Sequence, residues 1–77
     1  MNKEGTGKLI KDARVEKGFT QTELGELIGV SNKAVSRWET GESFPDVALL
    51  DGIASVLGLQ IEELVRGEKE EVKKEGE

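Results

Sequence analysis

The sequence predicts an all-α fold, a compact cluster of five short helices, on three observations. Glycines close the apolar-periodic segments: Gly18 after KDARVEK, Gly29 after QTELGELI, Gly41 after NKAVSRWET, Gly58 after DVALLDGIASVL and Gly67 after IEELVR. A glycine just past the last periodic residue is a helix stop, because it takes the left-handed conformation without steric cost. Apolar residues recur at helical spacing, and no β-branched run alternates with polar residues as a strand would. Finally, 77 residues make one domain with one core, near the lower size for autonomous folding.

Each element has its own signals. The first helix carries Leu9, Ile10 and Ala13 on one stripe and Lys8, Lys11 and Lys17 on a solvated face. The second starts at Thr20, where Glu23 three residues on completes a capping box, and stripes Leu24, Leu27 and Ile28. Ser31 is the N-cap of the third. Pro45-Asp46 begins the fourth, since a proline could not sit inside it; Leu50, Ile53, Ala54 and Leu57 form its stripe. The fifth presents Ile61, Leu64 and Val65. Phe19, Val30, Phe44 and Leu59 lie in the connections and plug the ends of the core. The folded domain is residues 1–67, and EKEEVKKEGE, residues 68–77, reads as a charged tail, a frayed helical extension or disordered.

Composition removes whole classes of chemistry. The chain has no Cys and no His, so disulfides and thiolate metal sites are impossible, and the commonest metal ligand and general base is missing. Glu62-Glu63 and Asp46/Asp51 are read as charged helix surface without a clustered third ligand. The expectation is a non-enzyme with no metal, no cofactor and no small-molecule ligand. No apolar run approaches the roughly 18 residues of a membrane span, and MNKEGTGK is not a secretory leader. No membrane partner and a cytoplasmic location are therefore expected. The net charge of -5 argues at first against a polyanionic partner, but it is unevenly spread. Residues 1–41 carry seven Lys and Arg against six acids, a net of +1; residues 42–77 carry four against ten, a net of -6.

The third helix, in IGVSNKAVSRWETG, is sharply two-faced. At about 100° per residue, Ala34, Val35 and Trp38 share one arc while Asn32, Lys33, Ser36 and Arg37 share the opposite one. Trp38 is thus a core residue and not a platform for bases. The polar face lacks the Glu/Lys pairing of a solvated helix and groups an amide, an ammonium, a hydroxyl and a guanidinium. These groups read guanine O6/N7, adenine N6/N7 and phosphate.

The segment before it adds Gln21, a small residue (Gly25) where two helices approach, a glycine (Gly29) at the turn, and Leu24, Val30, Val35 and Trp38 to lock the pair. With FTQTEL, IGVS, VSRWETG, Pro45 and LGLQIEELV in register, the chain resembles the helix-turn-helix of the phage Cro/repressor family, the XRE-like regulators, over residues 7–66. The resemblance implies a five-helix lambda-repressor-like domain whose third helix enters the major groove while the second crosses the backbone. It places Asn32, Lys33, Ser36 and Arg37 at base edges or flanking phosphates. Gln21 would donate to a phosphate at the second helix's N-terminus, Ser31 would both cap its helix and touch phosphate, and Ser43 would meet the backbone from the following loop. Glu42 does not suit that loop. Arg14 and Glu39 would form a partly buried ion pair of structural importance. Relatives usually have Ala where Gly25 stands, so Gly25→Ala is expected to be neutral or stabilising.

The implied function is sequence-specific binding of double-stranded DNA by a prokaryotic or phage regulator, a repressor acting by occupying a palindromic operator. The alternative is a protein-interaction module of the same fold, antitoxin-like or regulatory, using its acidic half. A monomer or weak homodimer in free solution that pairs on DNA is expected, any contact between copies forming through Val65 beside the Ile61/Leu64 stripe and Val72 one heptad on.

Overall fold

The computed structural model describes residues 2–69. Five α-helices follow one another, with no strand among the described residues: α1 (Lys3–Lys17), α2 (Gln21–Ile28), α3 (Asn32–Glu39), α4 (Leu50–Leu57) and α5 (Ile61–Arg66), α4 being entered through a 3-10 turn at Val47–Leu49. Local chemistry accounts for the boundaries. The Glu23 N–H donates to Thr20 Oγ1 at 3.0 Å and the Thr20 N–H donates back to Glu23 Oε1 at 2.9 Å, completing the expected capping box. The Ala34 N–H donates to Ser31 Oγ at 3.2 Å, and the Ala48 N–H to Asp46 Oδ1 at 2.9 Å. Asp46 thus caps the 3-10 turn rather than α4 itself.

One core joins all five helices. Ile10, Leu24, Val35, Ile53 and Leu64 are fully buried, with Trp38, Leu50, Leu57 and Leu59 nearly so, and Phe19, Ile28, Val30 and Phe44 pack against them from the edges. The stripes are narrower than the periodicity implies. Leu27 is 56% exposed, Ile61 40% and Val65 38%. Six residues in α5 give less than two turns, so only Leu64 reaches the core from it. Val72 and the tail from residue 70 lie outside the described residues.

Two buried polar groups were invisible to periodicity. The Thr6 hydroxyl donates to the Leu64 carbonyl at 2.6 Å across 58 residues of sequence, supplying a partner to one of the carbonyls that a helix C-terminus leaves open. Glu63 is 5% exposed, not the surface carboxylate expected, and accepts from the Gln60 N–H at 2.9 Å.

Backbone contact between elements is close at several glycines. A Cβ at Gly7 would collide with the Trp38 carbonyl, so α1 lies directly on α3 there. At Gly25, a Cβ would stand 2.6 Å from the Val30 carbonyl and 3.3 Å from the Ser31 carbonyl carbon, while the Gly29 and Val30 N–H groups both donate to the Gly25 carbonyl, at 2.7 and 2.8 Å. This corrects the sequence expectation for Gly25→Ala. The helix-propensity gain of roughly 0.5–1 kcal/mol is set against a clash with backbone, which no side-chain rotation relieves. Gly25→Ala therefore lowers thermal stability, by several degrees in the circular-dichroism melting temperature; a variant melting at or above the wild-type temperature would show that the turn yields without cost.

Candidate nucleic-acid interface

Eight residues long, α3 spans about 12 Å and divides its side chains as its sequence foretells. Val35 and Trp38 are buried, at 0% and 4% exposure, and Ala34 packs against the core. Asn32, Lys33 and Arg37 are exposed and Ser36 is half-buried on the other side. Lys33 and Arg37, four apart, are neighbours on one helix face. Among the described residues the ion pairs are Lys8–Asp12 and Arg14–Glu39, so neither cation of α3 has an acidic partner. Lys8, by contrast, pairs with Asp12 at 3.2 Å on the surface of α1, as an ordinary solvated face does.

The flanks of α3 differ from one another. Ser31 is exposed, and its Oγ accepts the Ala34 N–H while its hydroxyl hydrogen remains available. Beyond the C-terminal end, the Glu42 and Ser43 N–H groups both turn back to the Arg37 carbonyl, at 2.9 and 3.4 Å. That loop leaves Glu42 exposed and Ser43 half-buried beside it.

Beneath this surface lies a polar knot joining α1, α2 and α3. Arg14 Nε donates to Glu39 Oε2 at 2.6 Å and Arg14 Nη2 to Glu39 Oε1 at 3.0 Å, the paired geometry that makes guanidinium–carboxylate contacts strong. Arg14 Nη1 donates to the Phe19 carbonyl at 2.8 Å, tying down the α1–α2 connection. The side chains are 12% and 3% exposed. The hydrogen bond to Glu39 raises the Arg14 pKa above its ordinary value; partial burial opposes this and the charge of Glu39 adds to it. The ion pair read from the family resemblance is thus present. What the sequence did not disclose is its third member: Gln21 Nε2 donates to Glu39 Oε1 at 3.0 Å. The Gln21 amide, expected to face a phosphate, has one hydrogen committed inside the protein. Eighteen residues separate the two side chains, and no local pattern links them.

Comparison with known proteins gives this geometry a context. A family model described as helix-turn-helix matches residues 10–64. The HTH-type transcriptional activator BcrR of Enterococcus faecalis is 35% identical over 60 residues, 78% of this chain and 29% of the relative. Among solved structures, the P22 c2 repressor in complex with a synthetic operator superposes with a TM-score of 0.77 at 32% identity, covering 82% of this chain and 96% of that one. Hydroxypropylphosphonic acid epoxidase from S. wedmorenis matches with a TM-score of 0.72 at 32% identity, covering 82% of this chain but 34% of the epoxidase. The chain spans 29%, 56% and 32% of the length of three curated relatives.

The ion pair makes a stability prediction. Glu39→Met leaves the Arg14 guanidinium buried without its anion and costs about 3–5 kcal/mol, whereas replacing both residues, Arg14→Met with Glu39→Met, recovers most of that loss because no charge is stranded. Urea unfolding of the two variants decides it; a double variant no more stable than Glu39→Met would show that a stranded guanidinium is not what the single substitution costs.

Proposed function

We infer function from kinship: the chain belongs to the helix-turn-helix family of Cro/C1-type regulators, and we propose that it binds double-stranded DNA sequence-specifically to regulate transcription. In this reading α3 enters the major groove and α2 lies across the phosphate backbone. The observation that carries it is the grouping of Lys33 and Arg37, exposed on one face of α3 with no acidic partner among the described residues. Like charges four apart destabilise a helix slightly, and in a chain of net charge -5 their grouping is explained by an anion outside the protein. Asn32 and Ser36 supply the hydrogen-bonding groups for base edges, while Gln21, Ser31 and Ser43 supply phosphate contacts from the flanks.

The likeness to a repressor solved on its operator supports this assignment. Repression by occupancy is the proposed mode, because blocking a promoter asks nothing more of a domain than tight, correctly placed binding. No step of covalent chemistry, no cofactor and no small-molecule ligand enters, and the cytoplasm, where prokaryotic DNA lies, is the site of action. Among the described residues no helix is long and apolar enough to cross a membrane.

The second reading is a protein-interaction module. The epoxidase likeness shows the same fold inside a protein named for a different activity, and a fold does not by itself fix a function. The module reading leaves the unpaired cations of α3 without a role. Titration with duplex DNA at several salt concentrations separates the two: DNA binding that weakens steeply with salt supports regulation through phosphate contacts, and absence of binding at low salt supports the module.

Arg37→Ala and Lys33→Ala leave the fold intact and each costs about 1–3 kcal/mol of specific affinity where the side chain contacts a base, relaxing preference at that base position. Binding to a panel of single-base operator variants measures this, and equal losses for every sequence would reassign the residue to phosphate.

One domain covers few base pairs, so two copies on half-sites about 34 Å apart would turn two weak contacts into one specific contact. Ile61 and Val65, at 40% and 38% exposure, are the apolar part of the proposed contact between copies, with Glu62 beside them. Such a surface is small and self-repelling. We expect a monomer or weak dimer in solution that pairs on a palindromic site, as read by sedimentation equilibrium at tens of micromolar. A tight dimer without DNA, or one protein per palindrome at saturation, overturns the expectation.

A further inference from the structure

We propose that Glu39 is a positioning residue for DNA binding: through the hydrogen bond from Gln21 Nε2 it presets the Gln21 amide at the N-terminus of α2 for a backbone phosphate. The proposal rests on the DNA-binding reading above and assigns to a buried carboxylate a role beyond its ion pair.

The chemistry fixes the orientation of the amide. A carboxylate accepts hydrogen bonds and donates none, so the nitrogen end of Gln21, not the oxygen end, faces Glu39. The two hydrogens of a primary amide lie in one plane, directed about 120° apart; with one held by Glu39 Oε1 the direction of the other is set. Gln21 is half-buried at the first position of α2. Its remaining N–H adds a donor at the N-terminal end of α2, where the helix dipole favours an anion and the Thr20–Glu23 capping box engages part of the first turn.

Glu39 is itself anchored. Both of its oxygens are held by Arg14, at 2.6 and 3.0 Å, and Arg14 is held in turn by the Phe19 carbonyl. Gln21 is thus anchored to a fixed point shared by three helices rather than to a mobile surface group. A free glutamine side chain loses rotamer freedom when it is ordered on binding; one already ordered is spared most of that cost, which is the physical content of preorganisation.

The test is a double-mutant comparison in the full chain on one duplex. Gln21→Ala is expected to weaken binding about fivefold to tenfold for all sequences alike, with the salt dependence unchanged because no charge is lost. Lys33→Ala serves as contrast, lowering the salt slope by about one if it meets phosphate. Arg14→Met/Glu39→Met, equal to wild type in net charge, should weaken binding by a similar factor after correction for the folded fraction, and in that background Gln21→Ala should cost less than about twofold. A full Gln21→Ala loss in both backgrounds overturns the positioning role. Failure of the wild-type protein to bind duplex DNA overturns instead the functional reading on which it rests.

Nuclear relaxation supplies a readout independent of DNA and of the double variant. In the free wild-type protein the Gln21 side-chain amide should be as rigid as backbone, with an order parameter near 0.85; a value below about 0.6 overturns the proposal.

Discussion

The structure depends on how closely its backbones approach one another around α3. An isolated helix of eight residues is unstable in water, so α3 exists only because its neighbours hold it. Gly7 lets α1 lie on the Trp38 carbonyl, and Gly25 lets the turn fold back against α2. A side chain at either position would push α3 outward. The remaining restraints all presuppose that distance: Val35 and Trp38 enter the core, and the Glu39 carboxylate reaches both Arg14 and Gln21. With its inner face so occupied, α3 has one freedom left, which is what its outer face presents.

That outer face is cationic on an acidic protein, and range decides between the two. At physiological ionic strength charges beyond about 8 Å are largely screened, so Lys33 and Arg37 count for more at a groove than the acids of the second half. The total still matters on approach. An acidic chain gains little from non-specific phosphate contact, and in the proposed binding mode Glu42, exposed just past α3, would weaken it further. Discrimination depends on the gap between specific and non-specific binding; a face with few cations and good hydrogen-bonding groups widens that gap at the expense of absolute affinity.

Much of this was legible in the residues. Thr20, Glu23 and Ser31 act over three positions, so their caps and the helix starts they define could be read directly, and the opposed arcs of α3 follow from helical pitch alone. Periodicity failed where burial depends on what lies opposite. Leu27, Ile61 and Val65 sit at stripe positions, yet among the described residues no element covers them. Thr6 and Glu63 are polar and buried, which no hydrophobic pattern marks; the partner of Thr6 is 58 residues away. At Gly25 the residue type disclosed a close approach but not its size, and a Cβ 2.6 Å from a backbone carbonyl reverses the sign that helix propensity alone gives an alanine substitution. Of the interface, the groups on α3 were legible because one helix carries them all. The commitment of Gln21 to Glu39 was not, because it joins two helices.

A buried ion pair is often no more stabilising than apolar residues of the same volume, since desolvating two charges offsets their attraction. Hydrophobic replacement of Arg14 and Glu39 could therefore hold α1 against α3 as well. It could not hold an amide. Directionality is what a carboxylate adds: Oε1 accepts from Arg14 and Gln21 together, so the group that orients α3 relative to α1 also fixes a donor at the start of α2. Folding and the disposition of a polar side chain are then consequences of one contact. A substitution at Glu39 acts on both at once, whereas replacement of the whole ion pair separates them, restoring the packing while leaving Gln21 without its anchor.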